Sequence, residues 1–174
     1  MSDAPEFSRI VDRRGIGDAP VVLEANEAER AALAERFGLV AIHALTAEIA
    51  LEPDGEEISA KGSLSADIVQ SCAVTGDDLA NTVRDEIAVR FVPAREIAPV
   101  DPEEEIELDE DELDEIPYDG TGFDLGEAVA QSLALAIDPF AEGPDADRVR
   151  REQGLIEEGE SGPLAEALRG LRKD

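Results

Sequence analysis

The chain is poor in cysteine, histidine and aromatic residues. Its 174 residues include one cysteine, one histidine and no tryptophan, and aromatic residues make up 3%. A single cysteine excludes an intramolecular disulfide and the paired thiolates of a structural zinc site. So few aromatic rings cannot form a platform for stacking nucleic-acid bases. We therefore expect neither a metal-stabilised fold nor a base-stacking surface.

Residues that could form a catalytic site are also scarce. Nucleophilic catalysis needs a base beside the nucleophile, and His43 is the only histidine. It has no cysteine or second histidine to share a metal with, so we interpret it as a locally satisfied residue at a strand end. No glycine-rich phosphate-binding loop follows a predicted strand. We expect a non-catalytic protein that carries no cofactor and no stoichiometric metal.

Long apolar runs are missing as well. No apolar stretch approaches the roughly 20 residues that span a bilayer. Residues 1–6 lack the basic region and apolar core of a secretory signal. The sequence therefore predicts a cytoplasmic protein without membrane association.

Cations are few and acids are many. The chain has 15 Lys and Arg against 43 Asp and Glu, for a net charge of −28, and most of the excess lies after residue 95. A polyanion repels phosphate backbones and attracts basic surfaces. This charge favours a cationic protein partner over a broad nucleic-acid footprint. Solubility, or adaptation to a salt-loving host, is the alternative explanation.

The most regular pattern is an alternation of apolar and polar residues between 58 and 91. Apolar side chains take every second position from Ile58 to Val74, interrupted at Gly62 and Gln70. The alternation returns in the opposite phase after an acidic turn. Together with the apolar run before Pro53, it predicts a three-stranded antiparallel meander over 40–52, 57–74 and 82–93. The strands at 7–12 or 82–93 could also pair with a second copy through their edges.

Two helices are predicted beside this sheet. Asn26 with Glu29, and Asp124 with Glu127, have the spacing of helix starts, and they open helices over 27–37 and 125–137. Further short strands are predicted at 7–12 and 20–25. The fold class is therefore α+β: one domain over 1–140, with an antiparallel sheet packed by two helices.

An acidic insert, 96–118, interrupts this domain. Eleven of the fifteen residues in 101–115 are Asp or Glu, which predicts a flexible segment. Its interspersed aliphatic residues suit docking on a basic, partly apolar partner, although a solvated linker explains the segment equally well. The candidate partner-binding residues are Ile106, Leu108, Asp109, Glu110, Asp111, Glu112 and Leu113.

After Phe140 the chain becomes polar, and 141–174 is predicted to be a flexible tail. A short helix is possible over 163–172, with Leu164, Leu168 and Leu171 on one face. Such a short helix is marginal in isolation. It is either a docking peptide or a disordered end.

Four short motifs together resemble a known family. They are Gln70-Ser71-Cys72-Ala73-Val74-Thr75, Phe91-Val92-Pro93, Asp124-Leu125-Gly126-Glu127 and Asp138-Pro139-Phe140. In order and spacing they are similar to the YceD family, the large ribosomal RNA subunit accumulation proteins, in its alphaproteobacterial form. The resemblance implies a role in ribosome assembly or rRNA processing.

One position departs from the family pattern. Many relatives have a second cysteine three residues after the first, whereas this chain has Thr75. The departure removes the basis for a metal site, and we interpret Cys72 as a core residue. Gln70 faces inward by phase and must be hydrogen-bonded. The motif residues interpreted as structural are Gln70, Cys72, Thr75, Asp124, Glu127, Asp138 and Pro139.

Three functions remain open at this point. The first is a ribosome-biogenesis factor that binds a basic ribosomal protein, or an rRNA-processing or assembly factor. The second is direct RNA binding through a local basic patch of Arg84, Arg90 and Arg95. The third is a regulatory subunit of an enzyme.

Overall fold

The computed structural model describes residues 5–94 and 114–154. The elements in chain order are β1 (Ile10–Asp12), a 3-10 turn (Arg13–Gly15), β2 (Val21–Glu24), α1 (Glu27–Phe37), β3 (Ala41–Asp54), β4 (Glu57–Ser71), β5 (Asp78–Pro93), β6 (Asp114–Tyr118), β7 (Gly122–Asp124), α2 (Leu125–Ala136) and α3 (Ala146–Glu152). They divide between two units. The first unit takes its residues from Met1–Gln70 and Ala80–Pro139, and the second from Ser71–Leu79 and Phe140–Asp174.

The first unit is built on a five-stranded sheet in the order β2-β3-β4-β5-β6. β2 and β4 both pair antiparallel with β3. Only six residues join β4 to β5, and so short a connection requires a hairpin, because parallel neighbours need a crossover of a dozen residues or more. The predicted α+β class, with a meander packed by helices, is confirmed.

One face of this sheet is buried and the other is open. Every second side chain of β3 and β4 points into the core, as the alternation predicts, including Ile49, Ile58 and Ile68. The same hydrophobic cluster contains Leu33 of α1 and Leu133 of α2. Each such side chain contributes roughly 1.5–3 kcal/mol on full burial. The helices therefore cover the apolar face of the sheet.

Helix α1 forms as predicted because both of its ends are capped. The Asn26 side chain accepts a hydrogen bond from the Glu29 backbone N–H at 3.0 Å, and the Glu29 carboxylate accepts one from the Asn26 N–H at 2.8 Å. The helix ends before Gly38, whose backbone N–H donates to the carbonyl groups of Ala34 and Glu35. Among the described residues, no helix is both long and apolar enough to cross a bilayer.

The predicted acidic insert, 96–118, is corrected over its last five residues, which form a strand. Residues 114–118 form β6, which pairs parallel with Val89–Pro93 of β5. The acidic composition concealed this strand, in which Ile116 packs against the core and Tyr118 is buried within it. The Tyr118 hydroxyl donates to the Glu56 carbonyl oxygen. The rest of the insert, 96–113, lies outside the described residues.

A second, small sheet combines the short strand predicted at 7–12, observed as β1, with β7, which was not predicted. β1 and β7 pair antiparallel, with Val11 opposite Phe123. With three residues, β7 is too short for an alternation to show in the sequence. The Phe123 ring lies 4.4 Å, centroid to centroid, from that of Phe91, and this contact joins the small sheet to the core.

The second unit contains a helix where the sequence predicted a flexible tail. α3 buries Ala146 and has ion pairs along its exposed side. Arg148 Nη1 lies 3.0 Å from a Glu152 carboxylate oxygen, four residues along the chain, and Arg150 pairs with Glu142. The prediction of a flexible 141–174 is therefore corrected over Ala146–Glu152. The possible helix at 163–172 lies outside the described residues.

Gly62 marks a close approach between β4 and β3. A Cβ atom at this position would lie 2.0 Å from the Glu48 carbonyl oxygen and 2.8 Å from the Ile49 Cα. Backbone atoms on the neighbouring strand cannot rotate away as a side chain could. Glycine is therefore required here by space, which explains the break in the apolar alternation.

We expect Gly62→Ala to destabilise the fold by at least about 2 kcal/mol, because overpacking against backbone forces the strands apart. The matched control is Gly17→Ala, where the added Cβ meets nothing within 4 Å and the expected change is below about 0.5 kcal/mol. Urea unfolding of both variants measures the difference. Equal, small losses would show that the strands separate freely at this point.

Candidate functional site

The predicted partner-binding residues are not placed by the structure. Ile106, Leu108 and Leu113, with the acids between them, lie outside the described residues. Of the predicted basic patch, Arg95 is also outside them.

The two described arginines of the basic patch lie among acids. Arg90 Nη1 is 4.0 Å from a Glu57 carboxylate oxygen and 3.9 Å from one of Glu115. Arg84 is exposed between acidic neighbours, Asp85 and Glu86 among them. The positive charge of Arg90 is therefore offset by two nearby carboxylates, whereas Arg84 makes no ion pair within the described residues.

No group of three or more metal-ligating side chains occurs within residues 5–94 and 114–154. His43 is exposed at a register shift between Ile42 and Ala44 of β3. It lines a shallow groove with α1, near Glu27 and Arg30. The residues around His43 do not form a metal centre.

Asp124 is the connecting residue of the first unit. Its carboxylate accepts hydrogen bonds from the Ser8 hydroxyl at 2.6 Å and from the Arg9 backbone N–H at 2.8 Å. It also caps α2 by accepting from the Glu127 backbone N–H at 3.1 Å. One side chain therefore starts the helix and fixes the strand entry at Arg9.

Gly126 allows α2 to lie close to the segment that Asp124 binds. A Cβ atom there would lie 2.5 Å from the Phe7 carbonyl oxygen and 2.8 Å from the Arg9 backbone nitrogen. The first turn of α2 therefore packs directly against the backbone of residues 7–9. Asp124 and Gly126 therefore both hold α2 against residues 7–9.

Glu127 adds an ion pair to this arrangement. Its carboxylate accepts two hydrogen bonds from the Arg36 guanidinium, at 2.8 and 3.0 Å. These bonds lower the pKa of Glu127 and raise that of Arg36. Arg36 also contacts the carboxylate of Glu6 at 3.0 Å. The pair links the end of α1 to the start of α2.

Gln70 occupies an inward position at the end of β4. It is 5% exposed, and its Nε2 donates to the Asp138 carbonyl oxygen at 2.8 Å. Its Oε1 has no hydrogen-bond partner among the described residues. The amide thus binds the chain just after α2, at the Asp138-Pro139 motif.

Cys72 belongs to the second unit and is buried there. Its Sγ accepts hydrogen bonds from the backbone N–H groups of Thr75 at 3.4 Å and Gly143 at 3.3 Å. The loop is closed by the Cys72 N–H donating to the Asp77 carbonyl oxygen at 2.7 Å and by the Gly76 N–H donating to that of Cys72. Cys72 lies outside the main hydrophobic cluster.

These donors stabilise the thiolate. The Thr75 side-chain hydrogen bond is the largest cause, followed by the Gly143 N–H, and together they lower the pKa of Cys72 to about 7. The sequence alone does not indicate this effect, because the acids that follow Cys72 suggest a raised pKa. Thr75 is thus the residue that contributes most to the lowered pKa of Cys72.

A groove on the open face of the sheet was not identified from the sequence. We call it the open-face groove; its volume is about 640 Å³. The lining side chains that point away from the core include Thr46, Glu48, Ser63 and Ser65. The polar phase of the alternation in β3 and β4 is the signal that could have revealed it.

Removing the Asp124 carboxylate should lower the free energy of unfolding. Asp124→Ala loses a helix cap and two bonds to residues 8 and 9, so we expect a loss of about 2–3 kcal/mol in unfolding free energy. Asp12→Ala is the control, because Asp12 caps a turn of three residues through the Arg14 N–H and otherwise accepts one long hydrogen bond, from the Thr121 hydroxyl at 3.4 Å. It should lose less than about 1 kcal/mol. A loss for Asp124→Ala no larger than that of the control would contradict the connecting role.

The thiolate of Cys72 should make stability depend on pH. Its folded pKa is about 7 against an ordinary 9.0, so the folded state binds fewer protons in this window. The contribution of the thiolate to the free energy of unfolding is therefore complete above pH 9, and it is lost as the pH falls through about 7. The stability difference between wild type and Cys72→Ala, measured in urea under reducing conditions, should shrink over that fall. A difference independent of pH would contradict the assignment.

The comparisons with known proteins agree with the motifs. The family model described as large ribosomal RNA subunit accumulation protein YceD matches residues 60–163, which is more than half of the chain. No curated protein gives a significant match, and neither does any solved structure. The match includes the Gln70 to Thr75 motif, the acidic segment and the whole of α2. The chain therefore belongs to the YceD family of large ribosomal RNA subunit accumulation proteins.

Proposed function

We propose that this protein is a non-catalytic cytoplasmic factor of ribosome biogenesis that supports the accumulation of large-subunit rRNA by binding a basic protein. The partner is a basic ribosomal protein, or a basic factor that processes rRNA or assembles the subunit. The family supplies the link to large-subunit rRNA. The distribution of charge supports a protein rather than an RNA as the direct ligand.

The observation that carries the proposal is the imbalance of free charges. Residues 5–94 and 114–154 contain 27 acids and 11 cations. Six of those cations lie within 4.0 Å of a carboxylate: Arg9, Arg13, Arg36, Arg90, Arg148 and Arg150. Most cations of the fold are thus already paired with acids, whereas many acids are not paired.

This imbalance disfavours RNA as the direct ligand. Binding to a phosphate backbone depends on cations that are free to replace its counterions. Arg90 has two acidic neighbours, and its own pairs would have to break. A surface with excess carboxylates instead raises the local concentration of basic partners and speeds their association.

Affinity capture of the tagged chain from cell lysate, with and without RNase, tests the proposal. We expect basic proteins of the large subunit or its assembly to be retained in both samples. Loss of every captured protein after RNase would favour direct RNA binding. Retention of an enzyme alone would favour the regulatory-subunit alternative.

The acidic segment 101–115 should dominate the salt dependence of that binding. Replacing its eleven acids by Asn and Gln should slow association and weaken the dependence of affinity on salt. The reason is that the screening length between charges shortens from about 8 Å at 0.15 M to about 3 Å at 1 M. Replacing Ile106, Leu108 and Leu113 by Ser is the matched variant, which should instead hasten dissociation at every salt concentration. Surface plasmon resonance on the captured partner separates the two effects.

If both variants bind like wild type across the salt series, the part of the segment that precedes β6 is a solvated linker. The partner would then contact another part of the chain. Circular dichroism of both variants serves as the folding control.

A further inference from the structure

The open face of the sheet presents two rows of side chains that cross three strands. Val22, Glu48 and Ser63 lie directly opposite one another on β2, β3 and β4. Glu24, Thr46 and Ser65 form the second row in the same order. Residues opposite one another in a sheet point to the same side. Both rows therefore point away from the core, and Val22 is 70% exposed.

The floor of the open-face groove has the short hydroxyl side chains of the middle strands together with Glu48, and other larger side chains form its rims. The hydroxyl side chains of Thr46, Ser63 and Ser65 lie along the middle strands, with Val22 on one side and Arg84 and Glu86 on the other. The groove spans three inter-strand spacings of about 4.8 Å, or roughly 14 Å. An α-helix with its side chains is about 10–12 Å across and fits this width.

The polar groups of the groove are largely unsatisfied by the fold. Within the described residues, the hydroxyls of Thr46, Ser63 and Ser65 make no side-chain hydrogen bond, and Glu48, Arg84 and Glu86 make no ion pair. Elsewhere in the same unit, arginine and glutamate side chains pair with each other. The groove therefore has free carboxylates and hydroxyls beside an exposed valine.

We propose that the open-face groove is the docking site for a basic amphipathic helix of the protein partner. This inference rests on the proposed function and names the surface that would serve it. Lysine or arginine side chains would pair with Glu48, Asp85 and Glu86, against a single cation, Arg84. An apolar residue of the same helix would cover Val22. The hydroxyl floor would accept hydrogen bonds from the cationic side chains.

The charge of the groove argues against its other possible occupants. A second copy of this chain carries −28, so two such surfaces repel each other. RNA would meet three carboxylates for one guanidinium and no exposed aromatic ring. A helix rich in cations is not repelled by these carboxylates, and it needs no aromatic ring for binding.

A steric block that leaves the charge unchanged tests the inference. Ser63→Tyr fills the floor of the groove without altering the acidity that attracts any basic peptide. Ala28→Tyr, at an exposed position of α1, is the matched control. The probe is a labelled peptide of about 20 residues whose leucines recur among lysines at helical spacing. A peptide of the same composition with strictly alternating leucines tests whether a helix is required.

Fluorescence anisotropy of the full-length chain should show that Ser63→Tyr weakens binding of the helical peptide by at least about tenfold, and Ala28→Tyr by less than about twofold. Amide resonances of Thr46, Ser63 and Ser65 should shift on titration with wild type. Circular dichroism and urea unfolding establish that both variants are folded.

Three outcomes would overturn the inference. They are equal binding by Ser63→Tyr and Ala28→Tyr, amide shifts confined to other parts of the chain, and tighter binding of the alternating peptide. No detectable binding of the helical peptide to wild type would also overturn it. The proposed function would survive each of these results if the RNase-resistant capture of a basic protein holds.

Discussion

The structure depends on the burial of a single face of the β2 to β6 sheet. Alternation along β3 and β4 sends aliphatic side chains to one side, where α1 and α2 cover them, and polar side chains to the other. A shift of one residue in register would exchange the two faces, so this burial fixes the pairing of every strand. Within the described residues it also leaves an open face that is polar.

The family motifs acquire physical meaning within this arrangement. Asp124 and Gly126 hold α2 against the segment before β1, and Gln70 binds the chain just beyond α2. These are packing and capping contacts, and none of them forms a catalytic group. In the second unit, Cys72 accepts backbone hydrogen bonds that favour its thiolate. A motif can therefore identify a family through the way its members fold.

The sequence predicted the long elements and the short strands β1 and β2, but it did not predict β6, β7 or α3. Both main helices were predicted within one residue of their observed ends, because capping residues and glycine mark them. β6 was hidden because its charges, Asp114 and Glu115, continue an acidic run, while its pairing with β5 depends on a distant strand. The open-face groove requires the alignment of β2, β3 and β4, which no single segment contains. Local patterns predicted local structure, and the missed features depend on tertiary pairing.

Charge then connects the fold to its proposed role. The described residues pair most of their cations internally and leave many carboxylates outside ion pairs, and the proposed binding of a basic protein depends on this excess of negative charge.

The most direct test uses the large ribosomal subunit separated into its RNA and its proteins. The purified chain, immobilised, is offered each fraction at physiological salt. The account predicts retention of one or more basic proteins and no retention of the RNA. Retention of the RNA without any protein would contradict it.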